Sequence, residues 1–181
     1  MKKAIFRVYS LTLLLGLSFA LTPHLLAQNA GKLKTTVNPG RTGIFVDGKY
    51  LGPAANFKKS RTYAVPAGEH EVLLTEPRYK DYTTKVTIEP GKTFHLKYAM
   101  EALPIPKGPF GRLRITTGKS DKFSPVYINN KFMGHVDEFS NPEQGLLIPP
   151  GDYEVKIVIN EANPKIEKVS IKENQVTTIH L

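Results

Sequence analysis

The chain has 181 residues, 40% hydrophobic and 23% charged, which is the balance of a soluble globular protein and excludes a disordered or membrane-embedded chain. It has no cysteine, which excludes disulfide staples, thiolate nucleophiles and cysteine-ligated zinc. The formal charge of +9 falls to +6 when the three basic residues of positions 1–27 are set aside, and the surplus is uneven: residues 28–101 carry 12 basic and 7 acidic side chains, and residues 102–181 carry 10 and 9.

At the start, Lys2, Lys3 and Arg7 precede an apolar run from Leu11 to Leu21, and Leu25-Leu26-Ala27 follows. A basic end, a short greasy segment and a small residue at the cut predict a secretory signal over residues 1–27. The run is short of the ~20 apolar residues of a spanning helix. Cleavage after Ala27 is expected; if retained, the segment is an N-terminal anchor, and the only contact with membrane.

Beyond the signal, four blocks occur twice in the same order. Lys32-Leu33-Lys34 returns as Arg112-Leu113-Arg114, and Ile44 to Gly52 (IFVDGKYLG) returns as Val126 to Gly134 (VYINNKFMG). Pro66-Ala67-Gly68-Glu69-His70-Glu71-Val72 returns as Pro149-Pro150-Gly151-Asp152-Tyr153-Glu154-Val155, and Lys85-Val86-Thr87-Ile88 as Lys168-Val169-Ser170-Ile171. An internal repeat of this kind decides the architecture before any single element does.

Within the first unit, Asp47-Gly48 lies between β-forming runs and suits the positive φ of a two-residue type I′ hairpin turn; Asn129-Asn130 does the same in the second unit. Glu89-Pro90-Gly91-Lys92 predicts a further turn, replaced later by Glu173-Asn174, asparagine being the usual substitute for glycine at positive φ. Alternation places His70, Val72, Leu74, Phe94, Leu96 and Tyr98 inward in the first unit, and Tyr153, Val155, Ile157 and Ile159 inward in the second. With no stripe of helical period outside the signal, the predicted class is all-β: two tandem small antiparallel β-sandwiches, residues 32–101 and 112–181. Residues 102–111 hold three prolines and read as a semi-rigid linker.

The blocks resemble the PEGA domain, a β module of bacterial and archaeal surface proteins. Val46-Asp47-Gly48 with Gly52, Pro66 to His70, Tyr79-Lys80-Asp81-Tyr82 and Val86 to Thr93 carry the likeness over nearly all of 32–101. Arg78 stands where the family usually has glycine, and residues 112–181 match mainly through their likeness to the first unit. The resemblance implies a compact surface or adhesion module without catalysis of its own, and it transfers no site residue.

Catalytic groups, metal ligands and cofactor sites are not expected. His70 takes the inward slot of Tyr153, His95 and His180 fall on outward parity, His135 follows a hairpin, and none has a partner at metal-ligand spacing. The serines lack a nucleophile elbow, and the acids Asp137, Glu138 and Glu143 share one loop. The expected role is an exported, non-enzymatic scaffold or protein-interaction component of the cell envelope, in the periplasm, at the surface or secreted.

The alternative is a module for envelope polysaccharide, using the rings of Phe57, Tyr63, Tyr79 and Tyr82 and the cations of the first unit. Partners are then an envelope protein or an anionic envelope polysaccharide, with nucleic acid excluded by export. Weak self-association is a further expectation. The segment from Pro53 to Ala64 carries Lys58, Lys59 and Arg61 with no acid, and that from His135 to Leu146 carries Asp137, Glu138 and Glu143 with no Lys or Arg. These oppositely charged segments meet within one molecule or between copies.

Overall fold

The computed structural model describes residues 29–55, 62–118, 121–140 and 145–181. The predicted signal over residues 1–27 lies outside the described residues, as do Phe57, Lys58, Lys59, Arg61 and Glu143.

The first unit is built from β1 (Ala30–Asn38), β2 (Gly43–Val46), β3 (Lys49–Pro53), β4 (Thr62–Pro66), β5 (Gly68–Thr75), β6 (Tyr82–Ile88) and β7 (Thr93–Ala99). They form a three-stranded sheet of order β4-β1-β7 and a four-stranded sheet of order β3-β2-β5-β6. The second unit has β8 (Gly111–Thr116), β9 (Pro125–Ile128), β10 (Lys131–His135), the short helix α1 (Val136–Phe139), β11 (Leu146–Ile148), β12 (Gly151–Ile157), β13 (Lys165–Ile171) and β14 (Val176–His180). Its sheets, β11-β8-β14 and β10-β9-β12-β13, have the same order, so the chain is all-β with the expected repeat of one sandwich. Pairing is antiparallel except for one parallel pair in each unit, β1 with β7 and β8 with β14. Their first and last strands thus lie side by side.

The turns follow their residue types. Asp47 and Gly48 have φ of 49° and 76°, and Asn129 and Asn130 have 49° and 63°, which is the double positive φ of a type I′ turn. Each turn is clasped in the same way: Asp47 Oδ1 accepts from Glu71 N and Asn129 Oδ1 from Glu154 N, both at 3.0 Å. Asn174 (φ 57°) does what Gly91 (φ 69°) does in the first unit.

Two cores fill the sandwiches. Leu33, Ile44, Val72 and Leu74 are fully buried in the first, and Leu113, Ile115, Val155, Ile157 and Ile179 in the second. Each such side chain contributes about 1.5–3 kcal/mol relative to exposure. One inward assignment fails: β12 ends at Ile157, so Ile159 lies past the strand and is 45% exposed. Gly111, read as linker, is the first residue of β8.

Gly31 and Gly111 mark the same close approach in both units. A Cβ on Gly31 would lie 2.5 Å from both Glu89 O and Ile88 Cγ2, and one on Gly111 would collide with Lys172 O and lie 2.5 Å from Ile171 Cγ2. Gly111→Ala is therefore expected to destabilise the second unit by about 1–3 kcal/mol through overpacking against backbone that cannot move aside. Urea unfolding checks it; an unchanged midpoint would show that β8 has room there.

His70 and Tyr153 also correspond: His70 Nε2 lies 2.9 Å from Pro66 O, and Tyr153 donates its hydroxyl to Pro149 O at 2.9 Å. His70 Nδ1 lies 2.6 Å from Asp47 Oδ2. Carbonyl and carboxylate only accept, so both ring nitrogens donate and the imidazole is charged. The bond to Asp47, reinforced by that to Pro66 O, raises the His70 pKa against the opposing effect of burial. The bond from His70, then that from Glu71 N, lowers Asp47. The stability from Asp47 is present above its ordinary 3.8 and lost as pH falls through the lower folded value; that from His70 is present below its ordinary 6.5 and lost as pH rises through the higher one. His70→Tyr, which copies the second unit, is expected to fall short of wild type mainly between these limits. His70→Asp, a second acid against Asp47, should lower the thermal midpoint by several degrees. A His70→Tyr deficit that persists above the histidine range would contradict the ion pair.

Candidate functional site

Aromatic side chains that belong to neither core meet between the units. Phe45 and Phe132 are only 8% and 5% exposed, yet each points away from the core of its own sandwich. Their centroids are 5.6 Å apart in an edge-to-face arrangement. Tyr50 lies 5.8 Å from Phe132, and these two hold corresponding places in the hairpins β2–β3 and β9–β10. Phe45 corresponds to Tyr127, which is near enough to Tyr50 to oppose its ionisation. Equivalent faces of the two repeats thus meet, as at a two-fold dimer contact, but within one chain. Gly43 makes room: a Cβ there would lie 2.8 Å from the Phe132 ring.

A polar chain runs through this contact. His135, 1% exposed, has Nδ1 at 3.1 Å from Glu138 Oε1, and the same oxygen accepts from His135 N at 3.0 Å. The carboxylate can only accept, so Nδ1 carries the proton, and Nε2 is hydrogen-bonded to the hydroxyl of Tyr50 in the other unit. Burial raises the Glu138 pKa, but the hydrogen bond and electrostatic pull of the His135 ring, the His135 backbone N–H and the guanidinium of Arg41 outweigh burial and hold the carboxyl low. Burial first, then the neighbouring Tyr63, Tyr127, Glu138 and Asp137, pushes the Tyr50 hydroxyl up. Carboxylate, imidazole and hydroxyl stand in the order of a catalytic triad, and a nucleophile in such an array needs, besides the base, an open approach for substrate. The half-buried ring that carries this hydroxyl packs against Phe45 and Phe132. The arrangement holds the units together.

Ion pairs frame the contact. Arg41, between β1 and β2, donates to Asp137 Oδ2 at 2.7 Å. Arg78, between β5 and β6, donates Nε to Glu76 Oε1 at 2.7 Å and its backbone N to Glu76 Oε2 at 2.8 Å, while Nη2 lies 3.6 Å from Glu138 Oε2. Glu76 is 2% exposed, so Arg78 neutralises a buried acid in one unit and reaches the other. Lys49 and Glu161 add an exposed pair at 3.5 Å. The linker starts fixed to the same region: Leu103 N donates to Arg78 O, and Tyr79 bridges Ala102.

Asp137 and Glu138, of the acidic segment after Gly134, therefore face the first unit within one chain. Their described cationic partners are Arg41 and Arg78, and Asp137 and Glu138 sit on α1, where the sequence suggested a loop. The three candidate rings among the described residues, Tyr63, Tyr79 and Tyr82, pack inward. Tyr63 donates to Pro53 O at 2.6 Å, Tyr82 stacks on Tyr98 with centroids 3.7 Å apart, and Tyr63, Tyr79 and Tyr82 all lie against the first core, half-buried. They do not form an exposed, coplanar platform for a sugar ring. Sequence reading missed Arg41, Phe45, Phe132 and His135 as a group. The available signals were Arg78 at a glycine position of the PEGA pattern and outward-parity aromatics at corresponding places in both hairpins.

Among the described residues no three His, Asp or Glu side chains converge to hold a metal ion, and no helix is long and apolar enough to cross a membrane. The fold and junction define a tandem β-sandwich module. The family model of the PEGA domain matches residues 30–103, which span the first sandwich. The second sandwich lies outside that match and is tied to the first by strand order. No curated protein matches the sequence. Among solved structures, the Bacillus anthracis TIE protein is similar at 15% identity with a TM-score of 0.28, over 84% of this chain and 33% of that one, so this chain spans a third of that protein's length.

Proposed function

We propose that the chain is an exported, non-enzymatic cell-envelope protein whose two sandwiches act as one rigid interaction module. The observation that supports this most is the use made of the reactive groups: Glu138, buried His135 and Tyr50 form one hydrogen-bonded chain that joins one unit to the other. A rigid pair presents the outer faces of both three-stranded sheets at a set distance, which is what a scaffold needs from two small domains. The PEGA domain and the signal-like residues 1–27 support export. Fractionation of producing cells, with an antibody raised against the second unit, tests the location. Recovery from the envelope or medium in a form shortened by the signal agrees with it, and recovery from the cytosol alone overturns it.

A further inference from the structure

The outer face of sheet β4-β1-β7 is cationic and carries no acid. Along β1, Lys32, Lys34, Thr36 and Asn38 alternate outward with buried Gly31, Leu33, Thr35 and Val37. The parallel partner β7 sets Thr93, His95, Lys97 and Ala99 beside them in register, and Ala64 of β4 lies beside Lys32. All of these side chains are exposed, and among the described residues no carboxylate pairs with Lys32, Lys34 or Lys97. The acids of the first unit lie elsewhere: Glu69 and Glu71 on the other sheet, Glu89 bound to Lys92 in a turn, Glu101 to Lys80. At one end the face opens into a groove lined by Lys34, Thr36, Gly40, Ala54, Ala55 and His95. The positive field registers on His95, whose pKa is lowered by desolvation and then by Lys97 and Lys34.

We propose that this face binds an extended anionic carbohydrate chain. Outward residues recur every ~6.6 Å along a strand and neighbouring strands lie ~4.8 Å apart, so the ammonium groups of Lys32, Lys34 and Lys97 make a flat row roughly 14 Å long. That row suits a linear polymer with repeated carboxylates better than a single small anion. Thr36, Asn38 and Thr93 stand among the cations and offer hydrogen bonds to sugar hydroxyls. A bilayer fits less well, because surface-seeking proteins add large apolar side chains that enter the acyl boundary, and the apolar residues of this face are the small Ala30, Ala64, Pro66 and Ala99. In the second unit Arg112, Arg114 and Thr116 occupy corresponding places but are half-buried, with Leu147 and Val176 exposed beside them, so the first unit carries the site. The aromatic platform that the sequence suggested plays no part in it.

The inference rests on the envelope reading only for which polymer the protein meets in the cell; binding by the purified full chain does not depend on location, so the two fail separately. The experiment measures binding of immobilised polygalacturonate at low ionic strength, with neutral dextran and phosphatidylglycerol vesicles as parallel probes. The variant is Lys32→Glu/Lys34→Glu/Lys97→Glu, and the charge-matched control is Lys122→Glu/Lys131→Glu/Lys168→Glu on exposed positions of the second unit. The face variant is expected to bind about tenfold more weakly or worse, the control to stay within about threefold, and wild-type binding to fade with added salt as screening shortens. Lys32→Gln/Lys34→Gln/Lys97→Gln, which adds no repulsion within the sheet, should also weaken binding and covers any misfolding of the Glu variant. Equal losses in face variant and control, equal binding of dextran, or binding of vesicles but not polygalacturonate would each overturn the proposal.

Discussion

Phe132→Ala is expected to cost about 3–5 kcal/mol and to separate the two sandwiches. The ring is 5% exposed, touches Phe45 and Tyr50 of the first unit, and packs beside His135 and Tyr127 of its own. Removing it leaves a hole at the centre of a contact whose two sides lie on different sandwiches, so the hole closes by the units drifting apart and both cores survive. The checks are thermal unfolding and small-angle scattering: a lower midpoint together with a larger radius of gyration. A loss of stability with unchanged dimensions would place Phe132 in the core of the second unit alone.

Glu138→Ala is expected to act on the same contact through its polar side. One carboxylate oxygen accepts both the backbone N–H and the Nδ1–H of a histidine that is 1% exposed, so truncation leaves two donors without an acceptor, at about 1–3 kcal/mol for each. Arg78 loses its reach across the junction as well. Glu138→Gln keeps an acceptor oxygen and should cost less. The folded Glu138 pKa lies below the ordinary 4.5, so its contribution is present above 4.5 and is lost as pH falls through the lower folded value. Wild type should therefore lose stability in acid faster than Glu138→Gln, the two curves converging at the acid end. Parallel curves would show that the carboxylate is not what ties α1 to the first unit.

The two sandwiches were legible in the sequence because their determinants are local. Asp47-Gly48 and Asn129-Asn130 state their turn in two residues, Asn174 states the same positive φ as Gly91, and the period of two separates Val72 and Leu74 from Glu69 and Glu71. The junction was not legible for two physical reasons. Phe45 and Tyr127 occupy outward positions, and an outward aromatic reads alike whether it meets water or another domain. The register also shifts between Phe132 and His135, so simple alternation cannot say which way His135 points, and its partner Tyr50 lies 85 residues away. Charge patterning pointed to the segment after Gly134, and Asp137 and Glu138 of it face the first unit through Arg41 and Arg78, whose nearness depends on two strand connections folding to the same end of the sandwich; the cations it named, Lys58, Lys59 and Arg61, lie outside the described residues.

The central claim is that the two sandwiches behave as one body, and differential scanning calorimetry of the intact chain tests it most directly. If the junction couples them, the chain melts in a single transition with a van't Hoff enthalpy close to the calorimetric enthalpy. Two transitions, or a van't Hoff enthalpy near about half of the calorimetric value, would mean that the units unfold independently and would contradict the account.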